Sequence, residues 1–154
     1  CNYRDIIKEQ FDLDMDNIPG SGAAGGLGTA LMVFLNGTLK SGIETVLDLV
    51  DFDEHLKDVD IVVTGEGATD WQSVFGKVMQ GVGVHCQKHH IPAVAIVGSM
   101  GSGAEDIFDY GIESIITTVN NIMPLSDALN HAEELYLGAA RRMFRLLKAG
   151  MQMR

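Results

Sequence analysis

Glu66, Asp70 and Lys77 are the residues of this chain best placed to do chemistry. They follow an apolar run, Ile61-Val62-Val63, in the stretch Thr64-Gly65-Glu66-Gly67-Ala68-Thr69-Asp70-Trp71-Gln72-Ser73-Val74-Phe75-Gly76-Lys77. Carboxylates are hard oxygen ligands suited to Mg²⁺, and an aspartate can take the proton of an attacking hydroxyl in phosphoryl transfer. An ammonium such as that of Lys77 can neutralise developing phosphate charge. Ser73 reads either as a hydrogen-bonding group for a substrate or as a helix cap. Gly65 and Gly67 let the backbone take unusual angles and approach a ligand closely.

These groups need a scaffold, and the pattern supplies one. A short β-branched run bounded by glycine reads as a buried strand, here Asp60 to Thr64. Ala93 to Val97 and Glu113 to Thr117 read the same way. Between them, Gly76 to His89 and Ala104 to Phe108 read as helices, although Gly81 and Gly83 weaken the first. Earlier helices are expected at Tyr3 to Phe11, Ala23 to Asn36, Gly42 to Val50 and Asp53 to Lys57. A last helix is expected to start at a Ser126 cap and run to Leu147, with an apolar stripe of Leu129, Leu135, Ala139, Met143 and Leu146. Strands alternating with helices predict a mainly parallel sheet with helices on both faces, a three-layer α/β/α Rossmann-like domain. In such sheets ligands bind beyond the carboxyl ends of the strands, where Glu66 and Asp70 would lie.

Length and charge set limits. The chain has 154 residues, enough for one domain with a proper core, so residues 1–154 are expected to form a single α/β domain or a fragment of one. It begins at Cys1 rather than Met, and three strands make a small sheet, which suits part of a larger two-domain protein. Eleven basic residues against twenty-one acidic ones give a net charge of −10, which argues against nucleic acid or an anionic membrane as partner. No apolar run reaches the roughly 18 residues of a membrane span. Cys1 and Cys86 offer neither metal spacing nor a disulfide framework, so a reducing cytoplasm is expected.

Two further glycine loops invite a ligand. Gly20-Ser21-Gly22-Ala23-Ala24-Gly25-Gly26-Leu27-Gly28 contains G-x-G-x-x-G at Gly20, Gly22 and Gly25. A dinucleotide fingerprint needs a strand immediately before it, and Met15 to Pro19 is a poor strand, so a nicotinamide site is not expected. The loop leads into a helix, whose N–H groups can hold an anion. The bland alternative is that its glycines only permit close packing. Gly98-Ser99, after the second strand, reads as a ligand loop or a plain turn. His85 and His89 have the i, i+4 spacing of a metal pair without a supporting motif, and dipole complementation at a helix end explains them. His55 and His131 are expected at the surface, and Cys86 is expected to pack inside its helix.

Taken together, Gly20 to Gly28, Thr64-Gly65-Glu66-Gly67 with Asp70, Gln72-Ser73 and Gly76-Lys77, and the Gly98-Ser99 turn resemble the bacterial glycerate kinases of the first type. The resemblance runs from about Phe11 to Leu147 and departs at Ala68 and Trp71, where a basic and a small residue would be expected. It implies ATP-dependent phosphorylation of D-glycerate with Mg²⁺, in a two-domain α/β enzyme of which this chain would be the C-terminal portion. The implied site comprises Asp70, Lys77 and Glu66 as catalytic groups and Glu66 and Asp70 at the metal. Gly20, Ser21, Gly22, Gly25, Gly26, Gly65, Gly67, Gln72, Ser73, Gly98 and Ser99 would hold substrate or phosphate. A truncated domain would expose apolar surface, so self-association is an expectation. A non-catalytic small-anion-binding module is the alternative reading.

Overall fold

A computed structural model describes residues 2–71 and 77–153. The chain divides into two compact units, Cys1–Ser41 and Gly42–Arg154.

The first unit holds two helices. Helix α1, Asn2–Phe11, buries Ile7, and the segment after it buries Met15. Helix α2, Ala23–Leu35, follows the glycine loop. Phe11 meets Phe34 edge to face at 5.3 Å between ring centres, a favoured aromatic geometry. The exposed pairs Arg4–Asp16 and Lys8–Asp14 tie α1 to the acidic connector, at little energetic gain because both are in water.

The second unit is the expected three-layer α/β domain. Strands β1 (Val62–Thr69), β2 (Ala93–Met100) and β3 (Ile112–Thr117) form a parallel sheet in the order β1-β2-β3. Helix α5 (Val78–Lys88) joins β1 to β2, and a 3-10 helix (Ala104–Tyr110) joins β2 to β3. Parallel neighbours require such crossovers because a tight turn cannot connect them. Helices α3 (Gly42–Leu49) and α4 (Phe52–His55) belong to the same unit. One core joins Leu47, Leu56, Met79, Val82, Cys86 and Ile107 to Ala93, Ala95 and Val97 of β2. The other face is thinner, with Val94, Ile96, Ala139 and Met143 buried together under the last helix. Cys86 is fully buried as expected, and burial pushes its thiol up to about 11. Gly81 and Gly83 do not break α5. A Cβ at either would lie 2.3 Å from a neighbour, Ile43 Cγ1 for Gly81 and the Tyr110 carbonyl for Gly83, so both are packing residues.

Three expectations need correction. First, β1 does not end at Thr64, nor β2 at Val97. Gly65↔Ile96, Glu66↔Val97 and Ala68↔Ser99 continue the pairing, and the glycine segments lie inside strands. Second, the final helix is two helices, α6 (Leu125–Asn130) and α7 (Ala132–Met151), parted at His131 with φ −110° and ψ 21°. Pro124 precedes α6, and the Ser126 hydroxyl reaches its neighbour Asp127 instead of capping. Third, the turn at His131 takes Leu129 off the buried stripe, and Leu146 faces water, leaving Leu135, Ala139 and Met143 buried.

Candidate active site

The site is built where β1 and β2 outrun β3. Pairing with β3 stops at Val97↔Thr117, whereas β1 and β2 stay paired to Thr69↔Met100. Beyond that, the Gly101 N–H donates to the Thr69 carbonyl at 2.7 Å and the Trp71 N–H to the Ser102 carbonyl at 3.0 Å. A two-stranded ribbon therefore carries Glu66 to Trp71 past the body of the sheet.

Pleating sorts the side chains of this ribbon. Glu66 pairs with Val97, which is buried in the core on the α5 side. Gly65 pairs with Ile96, on the α7 side, and Gly67 and Gly98 fall on that side by the same alternation. Three positions that would place side chains under α7 carry none. Glycine inside a strand marks a close backbone approach, and the crowding here is direct. A Cβ on Gly65 would lie 2.3 Å from the Ile96 carbonyl oxygen, and one on Gly98 would lie 2.2 Å from that of Gly67.

The bare floor underlies a cavity of about 640 Å³. Gly65, Glu66, Gly67, Gly98 and Ser99 border it, with Ile96 behind them and Thr118 and Val119 beside them. Leu125, Ala128 and Leu129 of α6 and Ala132 and Tyr136 of α7 make its apolar wall. Helix α7 is held over the end of β3 by Arg142, whose Nη2 donates to the Thr117 carbonyl at 3.0 Å.

The remaining expected residues fall in different places. Asp70 is half-buried at the end of β1, outside the cavity lining. A strand rise of about 3.3 Å per residue sets Glu66 about 10 Å from Thr69, with Asp70 one residue further. Among the described residues no group of three or more His, Cys, Asp or Glu is assembled to hold a metal. Lys77 is exposed at the N-cap of α5, and its carbonyl accepts from the Gly81 N–H. Gln72 and Ser73 lie outside the described residues.

The Gly20 to Gly28 loop belongs to the first unit. No strand precedes it among the described residues. Its helix does not start regularly. Ala24, Gly25 and Gly26 have φ of 50°, 70° and 95°, a left-handed stretch that costs an alanine about 1 kcal/mol. The Ser21 carbonyl accepts from both the N–H and the hydroxyl of Thr29 at 3.1 Å, closing the loop on itself. Ser21, Gly22, Gly25 and Gly26 line a hollow of about 300 Å³ with Arg4, whose guanidinium is paired to Asp5 and Asp16. Gly20 stands outside that lining and accepts from the Ala23 N–H.

The sequence reading missed one cluster. His85 Nδ1 contacts Asp53 Oδ1 at 2.5 Å and its Nε2 contacts Glu44 Oε2 at 3.1 Å, so α5 is bound to both α3 and α4. Lys88 Nζ donates to Asp53 Oδ2 at 3.1 Å. His89 Nε2 is as close to that oxygen but makes no hydrogen bond in this geometry. Burial pulls the His85 pKa down, and Asp53 and Glu44 outweigh it, so the net shift is upward. His85 first, then His89, holds the Asp53 carboxyl far below the usual range.

Residues 1–148 match the sequence pattern of the glycerate kinase family. The chain belongs to that family. It is 41% identical over 142 residues to a glycerate kinase of Halalkalibacterium halodurans, covering 92% of this chain and 37% of that protein. It is 38% identical to the glycerate 2-kinase of Escherichia coli, covering 98% of this chain and 40% of that one. A crystal structure from Salmonella typhimurium, provisionally named glycerate kinase 2, superposes with a TM-score of 0.71 at 35% identity. The match covers 98% of this chain and 38% of that one. The chain thus spans about two fifths of the length of these family members. Among the described residues no helix is long and apolar enough to cross a membrane.

Proposed function

We propose that the protein carrying this chain transfers the γ-phosphoryl of ATP to a hydroxyl of D-glycerate, giving phosphoglycerate, ADP and a proton. The observation that carries this reading is the meeting of the family's sequence with a glycine-floored cavity at the carboxyl ends of β1 and β2. Phosphoryl transfer asks a protein mainly for positioning and charge stabilisation. Backbone amides of a glycine segment suit an approaching phosphate. Asp70 takes the proton from the glycerate hydroxyl as its oxygen attacks phosphorus. Lys77 balances charge on the phosphate oxygens in flight. The Gly20 to Gly26 loop serves the anionic end of a substrate.

Mg²⁺ is held in kinases by one or two carboxylates together with phosphate oxygens and water. Glu66 and Asp70, separated along an extended strand, fit such a sparse protein contribution and do not form a complete cage. When bound, the ion would neutralise charge on the nucleotide phosphates.

The test is ATP consumption by the full-length protein with D-glycerate and Mg²⁺, beside a control lacking glycerate. Glycerate-dependent ADP formation is expected. No turnover with glycerate or other hydroxy acids would overturn the reading and leave the anion-binding module.

A further inference from the structure

We propose that the cavity between the glycine floor and α6–α7 is the subsite for the adenine base of the nucleotide, and that Leu129 and Tyr136 make its recognition wall. This rests on the kinase reading above and says which of the two substrates the cavity takes.

The argument is one of matching chemistry. Every carbon of glycerate carries an oxygen, so glycerate has no apolar face to set against leucine or tyrosine. A purine base is a plate with two apolar faces and a polar edge. The cavity is built to the second description. Its floor is strand backbone without side chains at Gly65, Gly67 and Gly98, and its opposite wall is apolar. Its volume of about 640 Å³ is that of a site for a drug-sized ligand, most of whose lining is normally hydrophobic with a few polar groups to fix orientation.

The wall is also wet. Leu125, Leu129 and Tyr136 are 74%, 67% and 51% exposed where they border this open cleft. Covering that surface is favourable for a ligand with an apolar face and brings nothing to a small polar acid. Glu66 leaves that floor bare. It borders the space through its backbone, because pleating turns its side chain to the α5 side, so no carboxylate of the strand intrudes on the floor.

The test uses adenosine, which carries neither phosphate nor metal, as a direct probe on the full-length protein. Its dissociation constant is measured for the wild type and for Leu129→Asp, and the KM values for ATP and D-glycerate are measured on the same preparations. Adenosine binding is expected to weaken about tenfold or more, in line with losing an apolar contact and gaining a charge, and KM for ATP to rise in step. KM for glycerate should stay within about twofold. Leu125→Asp, at a more exposed position on the same wall, should show the same pattern and guards against misfolding of the first variant.

Unchanged adenosine binding in both variants, or a rise in KM for glycerate alone, overturns the assignment while leaving the kinase reading in place. Adenosine binding that is lost in the variants of a protein without glycerate-dependent turnover supports the subsite and overturns the kinase reading instead.

Discussion

The two faces of the sheet in the second unit are made in opposite ways. On the α5 side, Met79, Cys86, Val97 and Ile107 are fully buried, and the charges of α3, α4 and α5 are matched to one another at His85 and Asp53. On the α7 side, close packing stops at Ile96, and beyond it glycines replace side chains under a wet apolar wall. One face is finished by its own residues and the other is left for something else to complete. On the proposed reading the first face supplies stability and the second binds nucleotide, so substitutions should separate the two.

The sharpest break would come inside the ribbon, where β1 and β2 touch most closely. Gly98→Val would drive a β-branched side chain into the Gly67 carbonyl, at a cost of about 3 kcal/mol or more. Thermal unfolding should shift far down and turnover should vanish, and wild-type melting would show that the strands have room to part.

On the packed face, Met79→Ala should cost about 2–5 kcal/mol of stability, read by urea unfolding, with turnover per folded molecule unchanged. Loss of activity in a fully folded preparation would contradict the division of labour.

Between the two faces, at the end of β1 and the start of α5, Asp70→Asn and Lys77→Ala should each lower kcat by about 10²-fold or more and leave melting near wild type. A loss within about threefold would remove both residues from the catalytic assignment.

The smallest effect concerns pH. The His85 pKa is raised in the folded state, so its contribution is complete below about pH 6.5 and fades as pH rises through the folded value. The melting temperature should therefore decline modestly above about pH 6.5, and His85→Gln should flatten that slope. An equally steep slope in the variant would assign it to other groups.

Particular residues show what sequence could and could not carry. Ile61-Val62-Val63 and Ala93 to Val97 announce strands, because β-branched apolar runs have few other uses. The continuation of those strands was hidden, because glycine signals a turn unless a neighbouring backbone lies against it, and the Ile96 and Gly67 carbonyls that do so are remote in sequence. The break at His131 was hidden by an apolar spacing that runs on through it. Glu44 and Asp53 are far from His85 along the chain, so helix-end dipole effects seemed a sufficient account of that histidine until the fold joined them. The left-handed turn at Ala24 had no signal either, since alanine ordinarily favours a right-handed helix.

The order of pairing in the sheet also bears on how the chain reaches its native state. Ala93 finds its β3 partner, Ile112, across a shorter stretch of chain than the one separating Val62 from Ala93. Loop-closure entropy then favours β2 meeting β3 first, with β1 and its long crossover joining afterwards. Until it does, the flank of β2 that will carry the ribbon is unsatisfied, so the newly made polypeptide passes through a stage in which its central apolar strand has one bare edge, open to pairing with another chain.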